Sequence, residues 1–245
     1  MTKSGSGTQT LTGANTYTGT TTVTAGALQV GNAGVGQTGS GAVTVASGGT
    51  ILGTGTVRGN TLDLQNGSTL RPGDGMADSS LGTLTFAPAS ASGSTSNLQG
   101  SIILGISTPT TTDATFGGYT IGSDDYNAWV DAISGSSSHD RLVFGNPTTG
   151  TGYNLNFLTT TGSLQVLGSS FTPAMGQAFN LLDWSNLVTT NFSGFSFNSG
   201  YLTGNGDEGT DLDLPDISSS GLLWDFSRFM TSGVVVVVPR SEEHT

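Results

Sequence analysis

Five carboxylates crowd one stretch of the chain, Asp207, Glu208, Asp211, Asp213 and Asp216, in Gly-rich surroundings. Backbone carbonyls there, added to the carboxylates, would suit a hard cation such as Ca²⁺, which takes six to eight oxygen ligands. The spacing is not that of an EF-hand loop, and no Gly-Gly-x-Gly-x-Asp repeat accompanies it. Strand alternation accounts for Asp211 and Asp213 more simply, as the wet face of a strand whose dry face is Leu212 and Leu214. The cluster is therefore read as a solvated face. Calcium-dependent folding, the alternative, would show as a melting temperature that rises with Ca²⁺ and falls with a chelator.

A second grouping is His139-Asp140 behind Ser136, Ser137 and Ser138, the residue types of a nucleophilic triad. No Gly-x-Ser-x-Gly elbow accompanies them, and a Ser-rich loop supplies such neighbours by composition alone. His139 is read as a loop residue or a helix-end cap. Asp63, Asp74 and Asp78, with Arg58 and Arg71, are too few to nominate a general acid and a base. Trp129, Trp184, Trp224, Phe195 and Phe197 have the chemistry of a glycan-stacking platform but are read as core. No catalytic, cofactor-binding or metal-ligating residue is assigned, and no cofactor is expected.

The elements that carry these residues are β-strands. Charged residues are 9% of the chain against roughly a quarter in typical globular domains. Val, Ile, Thr, Phe and Tyr nevertheless recur in alternating patterns, which points to folded β-structure with Gly, Asn, Asp and Ser at the turns rather than to disorder. The net charge of −11 repels phosphate backbones and anionic headgroups, so no nucleic-acid partner is expected. The absence of Cys excludes disulfides and thiolate metal sites. Met1–Gly7 has no apolar run of signal-peptide length, and the longest apolar run, Val234–Val238, is far short of the roughly 18 residues of a membrane helix.

From Leu11 to Gly73 short β-branched runs return at a nearly fixed distance. Val23, Val45 and Leu64 align, as do Gly26, Gly48 and Gly67, at steps of 22 and then 19 residues. Such a period marks a solenoid, in which each repeat buries its apolar face against its neighbours. Strands are expected at Thr20–Thr24, Ala27–Val30, Ala42–Ala46, Thr50–Leu52, Thr61–Leu64 and Ser68–Leu70. Leu84-Thr85-Phe86, 20 residues beyond Leu64, reads as a further coil. Ala87–Thr115 is Ser-, Thr- and Gly-rich around an apolar strand at Ile102–Leu104, and reads as a widened coil or a soft boundary.

Ser123–Ile133 has helical spacing, with Tyr126, Trp129, Val130 and Ile133 on one face. Ser123 can cap its start, Asp124 and Asp125 favour the positive end of the dipole, and Gly135 can end it. The helix is expected to cover an open edge or cross-section of the coil stack. Strands follow at Arg141–Phe144, Tyr153–Leu158, Leu164–Leu167, Phe179–Trp184 and Phe195–Phe197, with larger aromatics in the core.

Thr12–Gly31, TGANTYTGTTTVTAGALQVG, resembles the autotransporter-associated β-strand repeat, also called the passenger-associated transport repeat. The Asn15–Gly19 turn, the Thr-rich strand and the Gly26–Val30 strand carry the likeness. The resemblance implies a right-handed parallel β-helix in the passenger of a secreted or outer-membrane surface protein of a Gram-negative bacterium. His139–Phe144, Gly162–Val166 and Gly176–Leu182 are similar to the end region of such passengers. Leu212–Pro215 and Gly221–Asp225 through Val238-Pro239 are similar to proteins that carry these repeats and end in a PEP-CTERM sorting signal. That pattern breaks after Pro239, and the last six residues, Arg240–Thr245, resemble a translated sequencing adaptor.

The expectation is an all-β, right-handed parallel β-helix with one short helix and a bulkier C-terminal β-region. A disordered segment is placed at 1–10, β-helix repeats at 11–115, a β-rich region that continues or caps them at 116–239 and a non-native tail at 240–245. The chain reads as a fragment of an exported bacterial surface protein, missing upstream coils and an anchor, on the cell surface or outside the cell. Its expected role is a non-catalytic stalk or adhesin-like scaffold, with surface glycans or matrix polysaccharide as partners. The alternative is a carbohydrate-active β-helix, since polysaccharide lyases and hydrolases share this architecture.

Overall fold

The computed structural model of the chain describes residues 1–109, 118–133, 138–158, 164–196, 198, 201–204 and 211–240. Among these, three parallel sheets wrap one apolar core as a parallel β-helix. The first sheet runs through Thr2–Lys3, Thr21–Val23, Val43–Val45, Leu62–Leu64, Ala91–Leu98, Gly150–Leu158 and Val188–Gly194. The second runs through Thr8–Leu11, Gly26–Val30, Gly49–Gly53, Thr69–Pro72, Ser101–Ser107, Leu164–Ser170 and Leu212–Asp213. The third, shorter sheet holds Thr56–Val57, Thr83–Phe86, Arg141–Phe144 and Leu182–Trp184. Isolated parallel bridges, Ala14 to Gln37 and Gln37 to Thr56, extend this third side back into the first coils.

Parallel register turns the sequence repeat into columns of stacked side chains. Val23, Val45, Leu64, Leu98 and Phe157 lie directly over one another in the first sheet, each no more than 1% exposed. Leu28, Ile51, Leu70, Ile102, Leu164 and Leu212 do the same in the second. No single strand of two to five residues could bury these groups; stacking does, at about 25 cal/mol per Å² of apolar surface removed from water. Corners between sheets need glycine. At Gly53, φ is +128° and a Cβ would stand 2.1 Å from the Val30 carbonyl oxygen of the coil before, so the coils approach this closely only because no side chain intervenes.

Outward positions hold a polar ladder. Asn156 Nδ2 donates to Asn97 Oδ1 at 3.0 Å, Asn191 Nδ2 donates to Asn156 Oδ1 at 3.3 Å, and the Asn97 N–H donates to Asp63 Oδ1 at 2.9 Å. Asn156→Ala removes both side-chain rungs at once and is expected to lower the unfolding free energy by about 1–2 kcal/mol. Urea titration followed by far-UV circular dichroism measures it.

Four expectations about the strands are corrected. Leu84–Phe86 does not begin a new coil: Thr85 and Phe86 pair with Thr56 and Val57, whereas the partner of Leu64 is Leu98. It is the third side of the coil that Leu62–Leu64 opens, and the coil-to-coil step grows to 34 and then 59 residues as loops are inserted. Residues 1–10 contain two strands rather than disorder. The Thr21–Val23 and Gly26–Val30 strands template them, and Lys3, only 8% exposed, gives its ammonium to the Ser4, Gly5 and Ala25 carbonyls. Phe179–Trp184 is two strands in different sheets, Ala178–Asn180 and Leu182–Trp184. The expected strand at Phe195–Phe197 is replaced by Val188–Gly194, and Phe197 lies outside the described residues.

The first of those two pieces joins a four-stranded antiparallel sheet, ordered Ala178–Asn180, Val234–Pro239, Leu222–Asp225, Tyr201–Leu202. Its central strand is the valine run, buried on both faces. Val235 and Val237 join the solenoid core with Phe179 and Trp224, while Val234, Val236 and Val238 form a second cluster with Tyr126 and Val130. The helix is therefore placed differently from the expectation. It spans Asp124–Asp131, is capped by Ser123 Oγ accepting from the Tyr126 N–H, and covers the antiparallel sheet rather than an open end of the coils. Gly135 lies outside the described residues, as do Ser241–Thr245.

Candidate functional site

Asp140 stands one residue before the third-sheet strand Arg141–Phe144, at the corner where that sheet meets the second. The corner is narrow because of Gly105, where a Cβ would meet the Asp78 carbonyl oxygen at 2.6 Å and the Leu81 side chain at 2.7 Å. Asp140 Oδ2 accepts from the Gly105 N–H at 2.8 Å while the Asp140 N–H donates to the Gly105 carbonyl at 2.7 Å. Its Oδ1 accepts from the Gly82 N–H at 2.7 Å, and the Gly82 carbonyl accepts from the Arg141 N–H at 3.0 Å. One carboxylate thus joins the second sheet to the third and one coil to the next.

Arg71, 6% exposed, pairs with the partly exposed Asp78 at 2.5 Å, and the two flank the buried Asp140. Burial pushes the Asp140 carboxyl up to about 7. The Gly105 and Gly82 amides and the Arg71 guanidinium pull the other way, and Asp78 adds to the rise. Such a group can exchange a proton near neutrality, but Asp140 is 1% exposed and offers none to a bound molecule.

The neighbouring residues differ from expectation in the same direction. His139 lies in the connection that leads into Arg141–Phe144, as a loop residue would, but it is buried: it is 2% exposed, with Nε2 2.9 Å from the Asn180 carbonyl oxygen and its ring edge-on to Phe179 at 5.7 Å. The Ser138 carbonyl accepts from the Ser107 N–H at 2.7 Å, and Ser136 and Ser137 lie outside the described residues. Most buried polar side chains meet a hydrogen-bond partner, and a sequence that looks like a polar loop hides this.

The other acidic residues are spread along the stack. Asp74 holds a turn of an earlier coil through the Ala33 N–H at 2.8 Å and Thr54 Oγ1 at 2.6 Å, and Arg58 donates to Thr148 Oγ1 at 3.0 Å. Asp207 and Glu208 lie outside the described residues. Asp213 accepts from Gln165 at 3.2 Å, and the exposed Asp216 accepts from the Ser218 N–H at 2.8 Å. Asp211 corrects the solvated-face reading: it is 6% exposed, and its Oδ2 accepts from the Ser196 N–H at 2.5 Å, so it joins two segments rather than facing solvent. Among the described residues no three His, Asp or Glu side chains are grouped to hold a metal ion.

The aromatics do not form one platform. Trp224 and Phe195 are core, Trp224 with its Nε1 on the Pro215 carbonyl at 2.8 Å and its ring stacked on Phe171 at 5.5 Å. Trp129 leans on Tyr119 and Tyr126, and Trp184 on Phe192.

Sequence reasoning missed the ion pairs Arg141–Asp183 and Arg228–Asp131, and the fully buried hydrogen bond from the Tyr126 hydroxyl to Asp225, which lie 42, 97 and 99 residues apart. No local pattern signals them. Burial and the adjacent Asp225 carboxylate hold the Tyr126 phenol far above its usual range, so it stays a donor. Tyr126→Phe removes a charge-assisted bond from a carboxylate that is 3% exposed and is expected to lower stability by about 1.5–3 kcal/mol, with faster amide exchange confined to Asp124–Asp131.

Residues 1–30 match the family model described as Passenger-associated-transport-repeat. They form the strands Thr2–Lys3, Thr8–Leu11, Thr21–Val23 and Gly26–Val30 of the first and second sheets. No curated protein and no solved structure matches the chain. No helix among the described residues is long and apolar enough to cross a membrane.

Proposed function

We propose that this chain is a passenger-like segment of an exported bacterial surface protein and that its β-helix serves as a stalk or adhesin-like scaffold rather than as an enzyme. The observation that carries the reading is the match of residues 1–30 to a passenger-associated repeat, laid out as the first rungs of a continuous three-sheet stack. The polar corners agree with it. Asp140, Asp74 and Asp63 spend their oxygens on backbone N–H and hydroxyl groups of neighbouring coils, which suits a load-bearing rod. The segments Leu212–Pro215 and Gly221–Asp225, with their likeness to proteins bearing a PEP-CTERM sorting signal, support attachment of that kind. Glycans of a neighbouring surface or matrix are the partners an adhesin of this type would meet.

Antibodies raised against the purified chain test the placement. They are expected to label intact cells that carry the gene, and labelling only after lysis overturns the reading. Release of unsaturated or reducing sugar ends from an acidic polysaccharide by the purified protein would reinstate the carbohydrate-active alternative.

A further inference from the structure

A cleft of about 360 Å³ opens where the end of the Asp124–Asp131 helix, the break between Ala178–Asn180 and Leu182–Trp184, and the short helix Phe229–Ser232 come together. It is lined by Asp131, Asn180, Asp183, Trp184, Thr231 and Ser232 and falls within the range of small-molecule sites, roughly 300–1,000 Å³. The geometry points to a binding site for a neutral pyranose unit. This goes beyond the stalk reading and does not depend on it.

Three observations carry the assignment. Asn180 is 4% exposed, gives its Nδ2 to the Ile133 carbonyl at 2.9 Å, and has no hydrogen-bond partner at Oδ1. A buried acceptor left in this state costs about 1–3 kcal/mol, and Asn180 is one of the residues that line the cleft. Asp131 and Asp183 are already neutralised, by Arg228 and Arg141. A cation would have to displace an arginine, and an anion would face the carboxylates; a neutral ligand rich in hydroxyls meets neither obstacle and can donate to the remaining carboxylate lone pairs. Trp184, partly exposed on the wall, offers the apolar ring surface on which the C–H face of a pyranose packs, while Thr231 and Ser232 add hydroxyls.

Isothermal titration and saturation-transfer NMR of the full chain, with cellobiose, lactose and maltose as probes and glucuronate as the anionic control, test the site. At least one neutral disaccharide is expected to bind saturably with Kd on the order of 1 mM, and glucuronate more weakly. Trp184→Ala should weaken that binding about tenfold or more with an unchanged circular dichroism spectrum, and Thr231→Val should weaken it by a smaller factor. Absence of saturable binding for all three disaccharides, tighter binding of glucuronate, or binding that survives both substitutions unchanged overturns the assignment. Cell-surface labelling reports on the stalk reading separately, so failure of one does not masquerade as failure of the other.

Discussion

Phe144→Ala is expected to lower the unfolding free energy by about 3–5 kcal/mol. Phe144 is fully buried at the centre of the third-sheet column, paired in register with Phe86 below and Trp184 above. Its ring meets Phe86 edge-on at 6.4 Å and Phe157 edge-on at 6.1 Å, so one side chain joins the third sheet to the first through the core. Truncation removes the buried apolar surface and the edge-to-face contacts together, and leaves a void that hydrogen-bonded coils above and below cannot collapse to fill. Position sharpens the effect. In a solenoid each coil is held by its neighbours, and Phe144 lies mid-stack, so weakening it separates the early coils from the antiparallel sheet and its helix. Urea unfolding followed by tryptophan fluorescence should then change before far-UV circular dichroism, because Trp129, Trp184 and Trp224 all lie on the C-terminal side. Phe144→Leu, which refills much of the void, should recover most of the loss. A loss of unfolding free energy below about 1 kcal/mol for the alanine variant would falsify the role of this column as core.

The stacking of Val23, Val45 and Leu64 was legible in the sequence because apolar residues there recur with glycines at a nearly constant step, and parallel register demands little more. Leu84–Phe86 misled for the same reason: a run of three residues at the right distance is equally a strand of the next coil or the next side of the same coil. Only the partner decides, and the partner is not a local property. Ala91–Leu98 shows the opposite failure. Its residues ASGSTSNL carry no strand signal, yet it pairs with both Leu62–Leu64 and Gly150–Leu158, and the buried Ser96 hydroxyl accepts the Leu62 N–H at 2.9 Å. Neighbouring strands impose the conformation where propensity does not. The valine run gave its apolarity but not its environment, since a strand buried on two faces has no period to read. The cleft was invisible, because Asp131, Asn180 and Thr231 approach one another only through the packing of two helices on two sheets.

Asp140→Ala is expected to destabilise the protein by about 2–4 kcal/mol at pH 5, and by progressively less as pH rises toward 8. Removing the side chain strips both acceptors from the part-buried Gly82 N–H and the buried Gly105 N–H, which sets the size of the loss. The pH dependence follows from linkage. The carboxyl has its ordinary value of 3.8 in the unfolded chain and about 7 in the folded one. Below about pH 4 both states hold the proton. Between pH 4 and 7 the unfolded chain gives it up while the folded one keeps it, so the native state binds more protons and its stability falls as pH rises. Above 7 both are ionised and the slope ends. The span corresponds to a change on the order of 4 kcal/mol. Two opposing influences meet at this residue: amide donors and Arg71 favour the carboxylate, burial disfavours it, and burial is the larger. Subtracting the alanine variant's stability curve from that of the parent removes the contributions of the other carboxylates and isolates Asp140. A difference that narrows between pH 4 and 7 places burial first, whereas one that widens over the same window would show that the two amides and Arg71 hold the ionised form, reversing the sign of the effect.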